Sequence, residues 1–281
     1  MSWIDISEQS GLPLEVNLET LELRSKSSDL VLPQPAVRTR KEIEKVLKNP
    51  EVIDQLPEVL YLMYRNVHLQ KHSHVREKYG LRYDISVFSG CMFGEEFFKT
   101  AGHYHPYMRL TYPLTWPELY EVLYGECIYL LQKVDDAYRD PFYVRVEDVI
   151  AMLASPGEKA VMPPNYGHVT IAANPAPNGF FVMSNWVCDH FKSHYESVEA
   201  SRGFAYYRVF RNGQPVWEKN LTYKQPIPPL REARPCDVPE IGLQAGKPMY
   251  HVGAENPEKY HWLVRPDLYL REIWAALQLQ G

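Results

Sequence analysis

Cysteine is scarce in this chain. Cys91, Cys127, Cys188 and Cys236 are the four in 281 residues, they lie far apart, and no two form a C-x-x-C pair. That spacing speaks against a finger-type structural zinc site and predicts reduced, partly buried thiols. Charge of one sign is not concentrated anywhere: 30 basic and 35 acidic side chains are interspersed for a formal net charge of -5. Without a basic block to grip a phosphate backbone, nucleic acid is not an expected partner. No apolar run approaches the roughly 18 residues a membrane-spanning helix needs, so no membrane partner is expected. The opening M-S-W-I-D-I-S-E-Q-S has neither the basic nor the apolar region of a secretory leader, and a cytoplasmic protein is the expectation. Internal repeats and low-complexity tracts are also lacking.

Proline and tyrosine are plentiful, at 23 and 20 residues. Scattered prolines suit many turns between short strands, and the central part of the chain reads that way. Strands are predicted over 83–90, 121–124, 127–132, 142–153, 160–162, 169–172 and 180–183, and a hairpin over 204–217 around Arg211-Asn-Gly-Gln214. Short strands at near-regular spacing predict an all-β fold, a double-sheet jelly-roll barrel over residues 66–220. Residues 1–65 read as an N-terminal arm, irregular over 10–35 and with short helices over 39–48 and 50–56. The stretch 58–64 is apolar and aromatic, and its period does not separate strand from helix. The segment 189–201 has helical character. Residues 221–281 read as a proline-rich extension that ends in a helix over 266–277 and packs on the barrel or on a second subunit.

The chemistry is concentrated in two stretches. Thr100 to Tyr120 carries T-A-G-H-Y-H and, further on, E-L-Y; Pro163 to Thr170 reads P-P-N-Y-G-H-V-T. Side chains alternate along a strand, so His103 and His105 are expected to share a face. With Glu118 and His168 they offer three imidazoles and a carboxylate, a donor set for a first-row divalent metal with positions left open for water or substrate.

The ordered set T-x-G-H-x-H, E-x-Y, a glycine turn before L-L-Q, P-G and P-P-x-x-x-H-x-T resembles the cupin-type, archaeal-type glucose-6-phosphate isomerase family over roughly residues 58–185. The resemblance implies a cupin barrel. It implies one divalent metal ion per chain, Fe2+ in first place with Mn2+, Ni2+ and Zn2+ as alternatives, held by His103, His105, Glu118 and His168. It implies a sugar-phosphate substrate, with Thr100 and Gly102 on the phosphate and Tyr61, Ser86 and Tyr120 beside the sugar. Glu118 and Tyr120 are the expected catalytic residues, and a homodimer the expected assembly. The reaction so implied is the interconversion of glucose 6-phosphate and fructose 6-phosphate, through an enediol or through a hydride shift. The alternatives are a sugar-phosphate-binding cupin without turnover and another metal-dependent cupin enzyme. The chain departs from the family in a longer loop over 107–117, in Val169 where an arginine is common, and in an aromatic and a histidine without a clean match. Asn185, Trp186, His190 and His194 are the nearest candidates for those two.

Overall fold

The structure, a computed structural model, describes residues 3–139 and 143–280. Eleven strands make two main sheets: β1 Ala36–Thr39, β2 Val59–Arg65, β3 Leu81–Phe88, β4 Glu118–Tyr124, β5 Cys127–Val134, β6 Val146–Ala154, β7 Lys159–Met162, β8 Tyr166–Ala172, β9 Phe181–Cys188, β10 Arg231–Pro235 and β11 Leu277–Gln280. One sheet has the order β7-β4-β9-β3-β2-β1, the other β8-β5-β6-β10-β11. Two such sheets face to face form a jelly roll, and the fold is mostly β with only short helices. The strand predicted over 142–153 begins at Val146 in the structure; Phe142 lies outside the described residues.

The six-stranded sheet has two buried faces, and this explains its near-continuous apolar character. In β9 all eight residues are buried. Along β3 and β9 one parity of side chains faces the interior between the sheets: Asp84, Ser86 and Phe88, and Met183, Asn185 and Val187. The other parity points outward, where the C-terminal extension covers it. Trp186 stacks on Tyr250 and donates from Nε1 to the Met249 carbonyl at 3.0 Å, and Tyr83 packs edge-on to Tyr250. A charged anchor sits under the same cover: Lys159 Nζ lies 2.8 Å from Glu121 Oε1, and Glu121 Oε2 accepts the Met249 N–H at 2.8 Å.

Three expectations need correcting. The arm is not separate from the barrel, because β1 and β2 both lie before residue 66 and both hydrogen bond into the six-stranded sheet. The stretch 10–35 is not irregular: Leu14–Asn17 pairs with Trp3–Asp5 and Leu23–Ser25 in a small sheet of its own. Its alternate apolar residues, Leu14 and Val16, are fully buried, so a single pair of side chains decides it. The chain does not end in a helix over 266–277. A 3-10 turn spans Pro266–Leu268 and a helix Leu270–Ala275, and β11 follows, pairing antiparallel with β10. Backbone pairing to a strand some forty residues away overrides the local helical pattern there.

Candidate metal centre and active-site cavity

A cavity of about 400 Å³ opens between the sheets. Period-two alternation delivers its lining. Arg38, Tyr61 and Phe88 are cross-strand neighbours on β1, β2 and β3, and Arg65, Asp84, Asn185 and Tyr120 form the matching row on β2, β3, β9 and β4. From the other sheet β8 contributes His168 and Thr170.

The fourth wall is the segment 98–105, which is not a strand of either sheet but runs beside β8. Lys99 bridges to Ile171 and His103 to His168. Four steps on one chain therefore match three on the other, and one residue is extra, as in a β-bulge. Gly102 makes that bulge with φ +75°, where an added Cβ would sit 3.0 Å from Val169 Cβ. Only glycine adopts this backbone without strain. Among the described residues the Gly102 N–H has no hydrogen-bond partner, and Gly102 lines the cavity. Thr100 Oγ1 accepts the Thr170 N–H at 3.1 Å, which leaves its own hydroxyl hydrogen free to donate.

Just past the bulge, one ligand atom from each of His103, His105, Glu118 and His168 falls within 4.8 Å of all the others. His103 Nε2 lies 3.1 Å from His105 Nε2, and Glu118 Oε2 lies 3.4 Å from His105 Nε2 and 3.3 Å from His168 Nε2. The orientation is fixed from behind. His105 Nδ1 lies 2.8 Å from the Trp116 carbonyl, which can only accept, so Nδ1 carries the proton and Nε2 presents a lone pair. Trp116 stacks on Phe191, which packs in turn on the His105 ring. Asn185 Nδ2 donates to Glu118 Oε1 at 2.8 Å and leaves Oε2 for the centre.

The electrostatics suit a cation. Burial, reinforced by His168 and His105, holds His103 well below the ordinary imidazole value, and burial lowers His168 against the pull of Glu118. Burial also opposes ionisation of Glu118, but the neighbouring His105 and His168 rings outweigh it and keep the carboxyl well below the usual carboxylate range. Neutral imidazole lone pairs and one carboxylate converging in a buried pocket are a metal donor set with net negative charge, so the residues present fit a divalent ion. Tyr120 lies 3.2 Å from His168 Nε2 through its hydroxyl, and burial beside the Glu118 charge keeps that hydroxyl protonated.

The structure gathers Tyr61, Ser86, Thr100, Gly102, His103, His105, Glu118, Tyr120 and His168 around this one cavity. Tyr61 stands on β2, inside the barrel rather than ahead of it. Of the four unassigned candidates only Asn185 faces the cavity. Trp186 is on the outer face under the extension, His190 packs against Gly80, and His194 pairs with Glu196 at 2.9 Å. The long loop over 107–117 folds on itself, with Tyr107 bridged to Thr115, and carries Trp116 to the His105 ring. Gln132, the end of the L-L-Q run, is fully buried and supports the centre from a distance. Its Nε2 donates to the Tyr104 hydroxyl at 2.7 Å and to Tyr223 at 3.0 Å, and its Oε1 accepts the Ala205 N–H at 2.7 Å, which pins the residue between the two ligand histidines. Sequence reasoning missed Arg38, which reaches the cavity from a four-residue edge strand too short to show a period.

A family model described as glucose-6-phosphate isomerase (GPI) matches residues 37–225. No curated protein matches the chain. Among solved structures, oxalate oxidase in complex with glycolate shares 16% identity over 41% of this chain and 42% of its own, with a TM-score of 0.26. The Fe(II) form of HppE shares 14% identity over 46% of this chain and 50% of its own, with a TM-score of 0.27. The vicilin of Solanum melongena shares 10% over 50% of this chain and 31% of its own, with a TM-score of 0.32. The chain thus spans half or less of the length of these proteins.

Proposed function

The chain belongs to the cupin-type glucose-6-phosphate isomerase family, and from that premise we propose that it interconverts glucose 6-phosphate and fructose 6-phosphate as a metal-dependent aldose–ketose isomerase. One observation carries the reading: a single cavity holds a metal donor set and, one and three residues before His103, a free N–H on Gly102 and an uncommitted hydroxyl hydrogen on Thr100. Neither group serves a metal. Both serve a phosphate, to which a glycine amide and a hydroxyl can donate. The lining adds Arg38, Arg65, Arg82 and Lys192 against only Asp84 and Glu118, a balance that favours a dianion.

In this reading His103, His105, Glu118 and His168 hold one divalent ion, which when bound polarises the C1 and C2 oxygens of the sugar. The chain's residues then constrain the hydrogen transfer. Glu118 is an expected catalytic residue as well as a ligand, but Asn185 occupies Oε1 and Oε2 faces the histidines, which leaves neither oxygen free to act as a base. Asp84 is taken by Arg82 and by the Asn66 N–H. The cavity lining therefore offers no uncommitted carboxylate to abstract a proton from carbon. This favours a hydride shift between C1 and C2: from fructose 6-phosphate a hydride leaves C1 for the C2 carbonyl carbon while the hydroxyl proton moves from O1 to O2, a balanced step without an external redox partner. Tyr120, which keeps its proton, is placed to hydrogen bond those oxygens.

Fructose 6-phosphate offered to the metal-loaded protein in D2O tests both parts. The expected result is glucose 6-phosphate that retains the substrate hydrogen at C2, with turnover lost on chelation. Deuterium at C2 would restore the enediol route, and tight binding without turnover would replace the enzyme by a sugar-phosphate-binding protein. A second expectation concerns the phosphate. Thr100→Val removes one charge-assisted donor, worth about 1.5–3 kcal/mol, so KM for fructose 6-phosphate should rise roughly tenfold or more while metal content stays at one ion per chain. An unchanged KM would remove Thr100 from the phosphate site.

A further inference from the structure

Four basic side chains line the cavity, and their partners set them apart. Arg82 is committed, meeting Asp84 at 2.8 Å and Asp189 on its other side. Arg65 and Lys192 are exposed at the surface, where water screens them. Arg38 is different. It sits on the edge strand β1, paired with Tyr61, next to the irregular register between Arg38 and Thr39. Val37 beside it points to solvent, so alternation turns Arg38 inward.

The local sequence T-R-K-E holds it there. Thr39 opens a capping box in which its N–H donates to Glu42 Oε2 at 2.8 Å, and the other oxygen of Glu42 meets Arg38 NH1. Glu42 thus engages one of five guanidinium donors and fixes the direction of the rest. Arg38 lines the same cavity as Tyr61, Thr100, Gly102 and His103.

We propose that Arg38 is a specificity-determining residue for this site, the guanidinium that recognises the substrate's phosphate together with Thr100 and Gly102. The proposal rests on the sugar-phosphate reading above and adds a residue to it. It gives the edge strand β1 a role in substrate selection: β1 carries the cation, while β4, β8 and the segment 98–105 carry the proposed metal ligands and the neutral donors.

Arg38→Gln and Arg38→Lys would be compared with the wild-type protein, each loaded with metal. Three quantities are read: metal content, KM and kcat for fructose 6-phosphate, and the inhibition constant of inorganic phosphate. Arg38→Gln should raise KM and the phosphate inhibition constant together, by about 10- to 100-fold, with most of the effect in KM and one ion per chain retained. Arg38→Lys should recover part of the loss, because a point charge attracts the anion but lacks the fork. Unaltered phosphate inhibition in Arg38→Gln, beside normal wild-type turnover, would overturn the role of Arg38 and leave the isomerase reading standing. A wild-type protein without turnover whose phosphate binding is still lost in Arg38→Gln would do the reverse.

Discussion

Replacing His105 by alanine is expected to empty the metal centre and to lower turnover by three orders of magnitude or more. His105 is the most constrained of the four donors. Its Nδ1 proton goes to the Trp116 carbonyl at 2.8 Å, its ring rests on Phe191, and its Nε2 lies within 3.4 Å of both His103 Nε2 and Glu118 Oε2. Loss of an outer-shell partner alone typically costs about 10- to 100-fold in metal affinity or activity, and removal of a ligand should exceed that. The metal bound per chain, measured by mass spectrometry of dialysed protein, should fall to a small fraction of the wild-type value. Far-ultraviolet circular dichroism should stay unchanged, because the sheets do not depend on this ring. Full occupancy in the variant would remove His105 from the ligand set.

The second large effect is expected on the face of the six-stranded sheet that points away from the cavity. Lys159→Met should destabilise the protein by about 3–5 kcal/mol, the usual consequence of removing one partner of a buried ion pair. Lys159 and Glu121 are 4% and 1% exposed, and among the described residues only the ammonium and the Met249 N–H compensate the carboxylate. Burial pushes Glu121 up to about 7, with Lys159 opposing the shift. The sign follows from proton counting. Between the ordinary glutamate value and about 7 the folded state holds a proton that the unfolded state has lost, so wild-type stability should fall as pH rises through that window. In Lys159→Met the decline should continue to higher pH, since the carboxyl has lost its cation. Urea titrations at pH 5.5 and pH 8 would show this as a larger gap between the two midpoints in the variant. Equal midpoints for variant and wild type would mean that the pair contributes nothing to anchoring the extension.

The cluster of His103, His105, Glu118 and His168 was legible in the sequence because chemistry restricts it. Few residue types can hold a divalent ion, and H-x-H, a following glutamate and a histidine behind Pro163-Pro164 place three imidazoles and a carboxylate in a definite order. The strands of the barrel were legible for a similar reason, since glycine and proline turns punctuate them. Arg38 was not legible. A four-residue edge strand shows no period, and an arginine before a capping box reads as a solvated helix start. Packing of the extension on the barrel was one of the two expected placements, but the residues it covers were hidden. Trp186 looked like a candidate for the substrate side, but its contacts with Met249 and Tyr250 join residues more than sixty positions apart, and a local reading cannot see them. The same parity argument that sends Asn185 inward sends Trp186 outward, so knowing the register of one strand decides both.

The central claim is that one metal ion per chain, held by His103, His105, Glu118 and His168, supports sugar-phosphate isomerisation. Anaerobic titration of chelator-stripped protein with Fe2+, following formation of glucose 6-phosphate from fructose 6-phosphate at each addition, tests it most directly. Activity should rise linearly from near zero and level off at one equivalent per chain. Full activity in the stripped protein, or none at any loading with Fe2+, Mn2+, Ni2+ or Zn2+, would contradict it.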